Sequence, residues 1–212
     1  MKRYECFQAM APLINDELFV TTAGGATSEW SAVRPGDGNF QVKTLGLCSS
    51  IGLGLAIAVP RRKVFVFDGD GALWMNLGSL ATIALHQPKN LIHICWDNQE
   101  YESSGGEPTV SKAGKINFGD VARAAGIQSS RSVETVQELV EGVRHALDHD
   151  GPHFIWARIE PGRTEVPPLP YDELENKYRF IRHLEKTEGI AVLRNPLPRS
   201  YEQNPKKTSP IL

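Results

Sequence analysis

Cysteine is scarce and scattered. There are three in 212 residues, Cys6, Cys48 and Cys95, none within metal-knuckle spacing of another. That excludes a CxxC metal or cluster motif and argues for reduced thiols in a cytoplasmic setting. Cys95, inside an apolar run, reads as a small core hydrophobe. Long apolar runs are missing too: none approaches the roughly 18 residues of a membrane span. The opening MKRYECFQAMAPLIN carries Glu5 and Asn15 and reads as an amphipathic helix, not a signal peptide. There is no surplus of positive charge either. Lys and Arg number 23 against 25 Asp and Glu, a net charge of −2, with no basic stripe, which removes the electrostatic case for nucleic acid. Internal repeats are absent. What remains, 41% hydrophobic and 23% charged, is an ordinary globular composition.

Apolar, β-rich runs alternate with helix-like segments, the pattern of βαβ units on a parallel sheet. Strands are expected at 17–22 (ELFVTT), 40–45 (FQVKTL), 63–68 (KVFVFD), 91–96 (LIHICW), 127–132 (IQSSRS) and 153–159 (HFIWARI). VFVF and LIHICW are nearly continuous apolar runs, as central strands covered on both faces require. Helices are expected near Cys48–Val59, Leu77–Gln87, Phe118–Ala125 and Val133–Asp148. The last keeps helical spacing through Val133, Val136, Leu139, Val140, Val143, Ala146 and Leu147. The fold class is therefore α/β, a three-layer sandwich around a mostly parallel central sheet. Residues 1–160 form the main domain. Residues 161–212 are a Pro-rich connector (PGRTEVPPLP), a charged helix around Tyr171–Lys186 and a C-terminal arm or partly disordered tail.

Two GDG triplets stand out. Gly36-Asp37-Gly38, between Pro35 and Asn39, has no strand before it and no helix after it, and reads as a surface turn. Gly69-Asp70-Gly71 follows the strand KVFVFD and opens a helical segment. In a parallel sheet, ligands bind beyond the carboxyl ends of strands, where glycines allow close backbone approach. The next strand ends at Asn98, so Asp70 and Asn98 reach one crevice as hard oxygen donors suited to Mg²⁺ and a diphosphate. Two other readings compete. GLGLAI from Gly52 has Ile57 where a dinucleotide fingerprint needs its third glycine and lies inside a helix. VFVFDGDGA is similar to the start of a haloacid-dehalogenase-type phosphatase, with Asp68 as nucleophile and Asp70 as acid/base. Ala72 breaks that pattern, and no later acidic pair completes it.

GDGALWMNLGSLATIA followed by DNQEY resembles the thiamine diphosphate motif, a GDG triplet and a later Asn-containing pair. Here 28 positions separate Asp70 from Asn98. TLGLCSSIGLGLAIAVPRRKVFVF, NQEYESSGGEPT and KYRFIRHLE are similar to the cofactor-binding half of phosphonopyruvate and sulfopyruvate decarboxylases, over Glu17 to Leu184. The resemblance implies a thiamine diphosphate-binding fold. Mg²⁺ is then held by Asp70, Asn98 and the backbone carbonyl of Glu100, with Gly69 at the triplet's head and Gly71 and Ala72 donating N–H groups to the diphosphate. It places Leu45 as the apolar wedge that bends the cofactor, and Lys43, Thr44 and Leu45 around the pyrimidine, the Lys43 carbonyl accepting from the amino group. Thr27 and Ser28 face the crevice on this reading, and Tyr101, Ser104 and Thr109 cover it. No histidine stands out as catalytic.

In such enzymes a glutamate on a separate pyrimidine-binding domain activates the cofactor, and no glutamate here aligns with it. The resemblance therefore implies a split enzyme. This chain is its diphosphate-binding (β) subunit, active with a pyrimidine-binding (α) partner on a small 2-oxo acid that is decarboxylated to an aldehyde. A carboligase or synthase subunit, or a scaffold subunit without turnover, is the alternative. Relatives carry Arg in a TSREL stretch and Gln in GGQPT. This chain runs from Ser28 to Glu29 and has Glu107, a loss of positive charge that disfavours a strongly anionic substrate tail.

Overall fold

The computed structural model describes residues 1–193. The expected tail from Arg194 onward lies outside the described residues. In chain order the elements are α1 (Arg3–Met10), β1 (Leu18–Thr22), α2 (Gly25–Val33), β2 (Asn39–Val42), α3 (Cys48–Ala58), β3 (Val64–Gly69), α4 (Asp70–Met75), α5 (Ser79–His86) and β4 (Leu91–Asp97). After these come the short antiparallel pair β5 (Glu100–Tyr101) and β6 (Glu107–Pro108), then α6 (Phe118–Ala124), β7 (Ser129–Val133), α7 (Val136–Asp148), β8 (His153–Arg158) and α8 (Glu173–Glu188).

Six strands form one sheet in the order β2-β1-β3-β4-β8-β7, every adjacent pair parallel. β3 and β4 lie at its centre. Their continuous apolar runs are buried on both faces because helices cover both faces. On one side α1, α2 and α7 enclose an aromatic-rich core of Phe7, Phe19, Trp30, Phe65, Phe67 and Trp96. On the other, α3, α5, α6 and α8 pack over Val20, Val66, Cys95 and Phe154. The three layers match the expected sandwich. All three cysteines are free and buried, with burial pushing the Cys6 thiol up to about 12.

Local chemistry sets the helix ends. Thr135 and Glu138 form a capping box that starts α7 three residues later than the apolar spacing alone suggests. Asn117 and Asp172 cap α6 and α8. The helix expected at Leu77–Gln87 is α5, and the triplet opens a separate short helix, α4. Between them Asn76 donates from its side chain to the Gly46 carbonyl, a tertiary contact that competes with helix continuation. The strand expected at 40–45 stops at Val42, and Lys43–Leu45 form a loop. A Cβ on Gly52 would lie 2.0 Å from Val66 Cγ2, so α3 rests on β3 where only hydrogen fits, whereas Gly54 faces open space. The first GDG triplet lies in the turn before β2, and Asp37 meets Arg179 on the surface.

The connections position the site. From β1 the chain moves outward to β2, then crosses back over β1 to β3 and on to β4. The direction reverses between β1 and β3, which opens a crevice at their carboxyl ends.

Candidate functional site

That crevice is a cleft whose walls come from three strand ends: Thr22–Ala26 after β1, Asp68–Ala72 at β3, and Trp96, Asn98 and Glu100–Ser103 after β4. Leu45 enters from the β2–α3 loop, and Arg3 from α1. Asp70 opens α4 directly after β3 and is 1% exposed. Its Oδ2 accepts from the Thr109 and Ser111 hydroxyls, the latter at 3.0 Å, leaving Oδ1 without a side-chain donor among the described residues. Ser111 also lies 2.9 Å from Oδ1 of Asp97. One hydroxyl proton therefore serves two carboxylates. Burial pushes the Asp70 carboxyl up to about 6, opposed by the Thr109 bond and reinforced by the charge of Asp97.

Asp97 is spoken for: Oδ1 also accepts from the Gln99 amide, and Oδ2 accepts from Trp156 Nε1 at 2.8 Å. Among the described residues Asp70 has no cationic partner and fewer donors than Asp97. A buried carboxylate in that condition calls for a positive ion from outside the protein. Asn98 is 5% exposed on the neighbouring strand end, and its Oδ1 accepts from the Glu100 amide at 3.2 Å. Between them Gln99 has φ 63°, a left-handed conformation unusual for a side-chain-bearing residue, and it turns the chain sharply beside the cleft. Carboxylate, amide oxygen and the backbone of this turn form a hard-oxygen donor set that fits Mg²⁺.

The cleft floor is shaped for close approach. A Cβ on Gly71 would meet the Tyr101 ring at 2.3 Å, so Tyr101 and Thr109 close directly over the backbone, while Gly69 faces open space. Three residues of the wall each bury a polar atom that has no hydrogen-bond partner among the described residues: Thr22 Oγ1, Asp68 Oδ2, which faces His93, and Trp96 Nε1. The cleft itself presents an unneutralised carboxylate beside the backbone of the triplet, which suits a cation brought in with an anion.

The structure brings Leu45, Gly69, Asp70, Gly71, Ala72, Asn98, Glu100 and Tyr101 to this cleft. It does not bring Lys43 or Thr44, which are exposed on the loop leading to Leu45. Thr27 is also withdrawn: its hydroxyl donates to the Thr22 carbonyl at 2.6 Å and bonds Thr21, tying α2 to β1. Ser28 and Ser104 line no part of the cleft, whereas the neighbouring Ser103 does. Asp68 has no exposed surface, and its Oδ2 lies 3.5 Å from Nε2 of the buried His93, a poor placement for a phosphatase nucleophile. Arg3, Glu102, Trp96 and Ser111 were not legible as site residues.

Residues 31–157 match the thiamine pyrophosphate enzyme, C-terminal TPP binding domain. This chain belongs to that family. It is 35% identical over 185 residues to sulfopyruvate decarboxylase subunit beta of Methanothermobacter thermautotrophicus, spanning 87% of this chain and 96% of that protein. It is 36% identical over 157 residues to phosphonopyruvate decarboxylase of Streptomyces viridochromogenes, covering 74% of this chain but only 39% of that protein. Benzoylformate decarboxylase of Polynucleobacter necessarius superposes with a TM-score of 0.64 at 17% identity, over 78% of this chain and 34% of its own, a likeness of fold. In this thiamine pyrophosphate enzyme, then, the cleft occupies the end of the sheet that the topology predicts for a ligand.

Proposed function

We propose that this chain is the diphosphate-binding (β) half of a split thiamine diphosphate-dependent enzyme. It decarboxylates a small 2-oxo acid, of the sulfopyruvate or phosphonopyruvate kind, to an aldehyde. The observation that carries the reading is the buried Asp70 carboxylate, with no cationic partner among the described residues, sharing with Asn98 a cleft at the sheet's switch point. Alignment with nearly the whole of a sulfopyruvate decarboxylase beta subunit, and with 39% of a phosphonopyruvate decarboxylase, supports the split architecture.

On this reading Asp70, Asn98 and the carbonyl of Glu100 hold Mg²⁺, and the N–H groups of Gly71 and Ala72 take the diphosphate. When bound, thiamine diphosphate supplies the electron sink for loss of CO₂. The chain's own residues bind and orient. Leu45 offers an apolar support in the cleft wall, and Tyr101 and Thr109 cover the triplet and exclude water. Residues 1–160 make the cofactor-binding domain, and beyond them the connector leads to α8, which packs onto it. The glutamate that activates the cofactor comes from a pyrimidine-binding (α) subunit, in a cytoplasmic hetero-oligomer.

Native mass spectrometry of the complex taken from its host in magnesium tests this. A second subunit with thiamine diphosphate and Mg²⁺ bound is the expected mass, and that complex should release CO₂ from a 2-oxo acid. A homo-oligomer that takes up no added cofactor would overturn the reading.

A further inference from the structure

Arg3 is 6% exposed at its side chain and lies between two carboxylates that are distant in sequence. Nε donates to Glu29 at 2.8 Å, and Nη2 donates to Glu102 at 3.0 Å. Glu29 is itself buried and accepts the Thr164 amide at 2.6 Å, which fixes the far side of the guanidinium. Glu102 is held by more than Arg3: its Oε1 accepts the Gly25 amide at 3.2 Å. Its Oε2, shared with Arg3, receives Nδ2 of Asn98 at 3.5 Å.

That last contact and the Glu100 amide, which donates to Asn98 Oδ1 at 3.2 Å, together fix which way the Asn98 amide faces. With Nδ2 drawn to a carboxylate, Oδ1 keeps one lone pair beyond the Glu100 bond for a cation. Gly25 makes the arrangement sterically available, because a Cβ there would come within 2.1 Å of Arg3 Nη2 and 2.4 Å of Glu102 Oε1. One guanidinium against two carboxylates also leaves net negative charge beside Asp70, which favours a cation and not an anion at this end of the cleft.

We propose that Arg3 and Glu102 are positioning residues for the cation ligand Asn98. Glu102 sets the orientation of the Asn98 amide, and Arg3, clamped by Glu29, sets Glu102. The first helix of the chain is thereby part of the metal site, although it contributes no ligand. The inference rests on the reading of Asp70 and Asn98 as Mg²⁺ ligands. Partners behind metal ligands commonly change metal affinity by about 10- to 100-fold when removed. A Lys at position 3 would keep the charge but not the fork that reaches both acids.

The test is Mn²⁺ binding, with thiamine diphosphate present, followed by the electron paramagnetic resonance of free Mn²⁺. It uses the tagged chain isolated from its host together with whatever subunit accompanies it. Glu102→Gln presents an amide where Asn98 needs an acceptor, and half-saturation should rise about tenfold. Gly25→Ala should raise it similarly by separating Arg3 from Glu102, and Arg3→Lys should fall between these and the wild type. The double variant R3Q/E102Q should lose no more than E102Q alone, since both act through one contact. If Arg3 variants fail to fold, E102Q and G25A decide. Wild-type Mn²⁺ affinity in an E102Q protein of normal melting temperature overturns the proposal while leaving the site reading intact. Absence of Mn²⁺ binding in the wild-type complex overturns both.

Discussion

Asp70→Asn separates what the cleft needs from what the fold prefers. Asn has nearly the shape of Asp and still accepts from the Thr109 and Ser111 hydroxyls, but it carries no charge. In the wild type, burial raises the Asp70 carboxyl from 3.8 to about 6. The unfolded chain therefore ionises Asp70 more readily than the folded one, and above pH 6 the ionised group opposes folding. A difference of about two pH units corresponds to about 3 kcal/mol. With metal removed by EDTA at pH 7.5, D70N should be more stable than wild type by about that amount, roughly 6–12 °C in melting temperature. The advantage should shrink as pH falls through 6 and vanish below about 4, where both states of the wild type hold the proton. Urea unfolding followed by tryptophan fluorescence reads the difference. Added Mg²⁺ and thiamine diphosphate should reverse the order by stabilising the wild type alone. A D70N protein no more stable than wild type in EDTA would refute the argument, since it would mean that the protein itself already neutralises Asp70.

Four further substitutions test the packing and the assignment. Gly52→Ala should cost about 1–3 kcal/mol because the new methyl meets Val66, whereas Gly54→Ala, facing open space in the same helix, should gain about 0.5–1 kcal/mol; equal urea midpoints would contradict the way α3 lies on β3. Thr135→Ala removes the capping box of α7 and should cost about 1 kcal/mol by the same assay. Asp68→Asn should leave Mg²⁺-dependent cofactor uptake intact, because the Asp68 carboxylate points toward His93 within the core; loss of uptake, followed calorimetrically, would make Asp68 a ligand.

Period and punctuation made the centre of this molecule legible. VFVF and LIHICW could only be strands covered twice, and the alternation with helices required parallel pairing, so two consecutive strand ends had to deliver Asp70 and Asn98 to one edge. Where a local pattern was overruled, a long-range contact overruled it. Lys43 to Leu45 look β-like by composition, yet Val42 is the last residue to find a partner on β1. Thr27 looked like a free turn hydroxyl and is consumed by β1. Arg3 was the least legible of all. On a short amphipathic helix a charged residue belongs to the solvent face, and nothing within the sequence couples position 3 to positions 29 and 102.

The same geometry explains why the cleft is poorly satisfied in the protein alone. A folded protein seldom leaves a buried charge without a counter-charge, yet Asp70 is ionised against the preference of its surroundings. This is a local cost set against a well-packed three-layer core, at the carboxyl edge of the sheet. Such a cost is the mark of a site completed from outside. A cation brought in with an anion would neutralise Asp70. Filling the cleft should therefore stabilise the surrounding strand ends, from Thr22 to Ala26 and from Asn98 to Ser111, more than it stabilises the distant α7. Amide hydrogen exchange, compared with and without Mg²⁺ and thiamine diphosphate, would read that gradient directly. Protection rising equally throughout the chain would argue that the ligand acts on global stability and not on this edge.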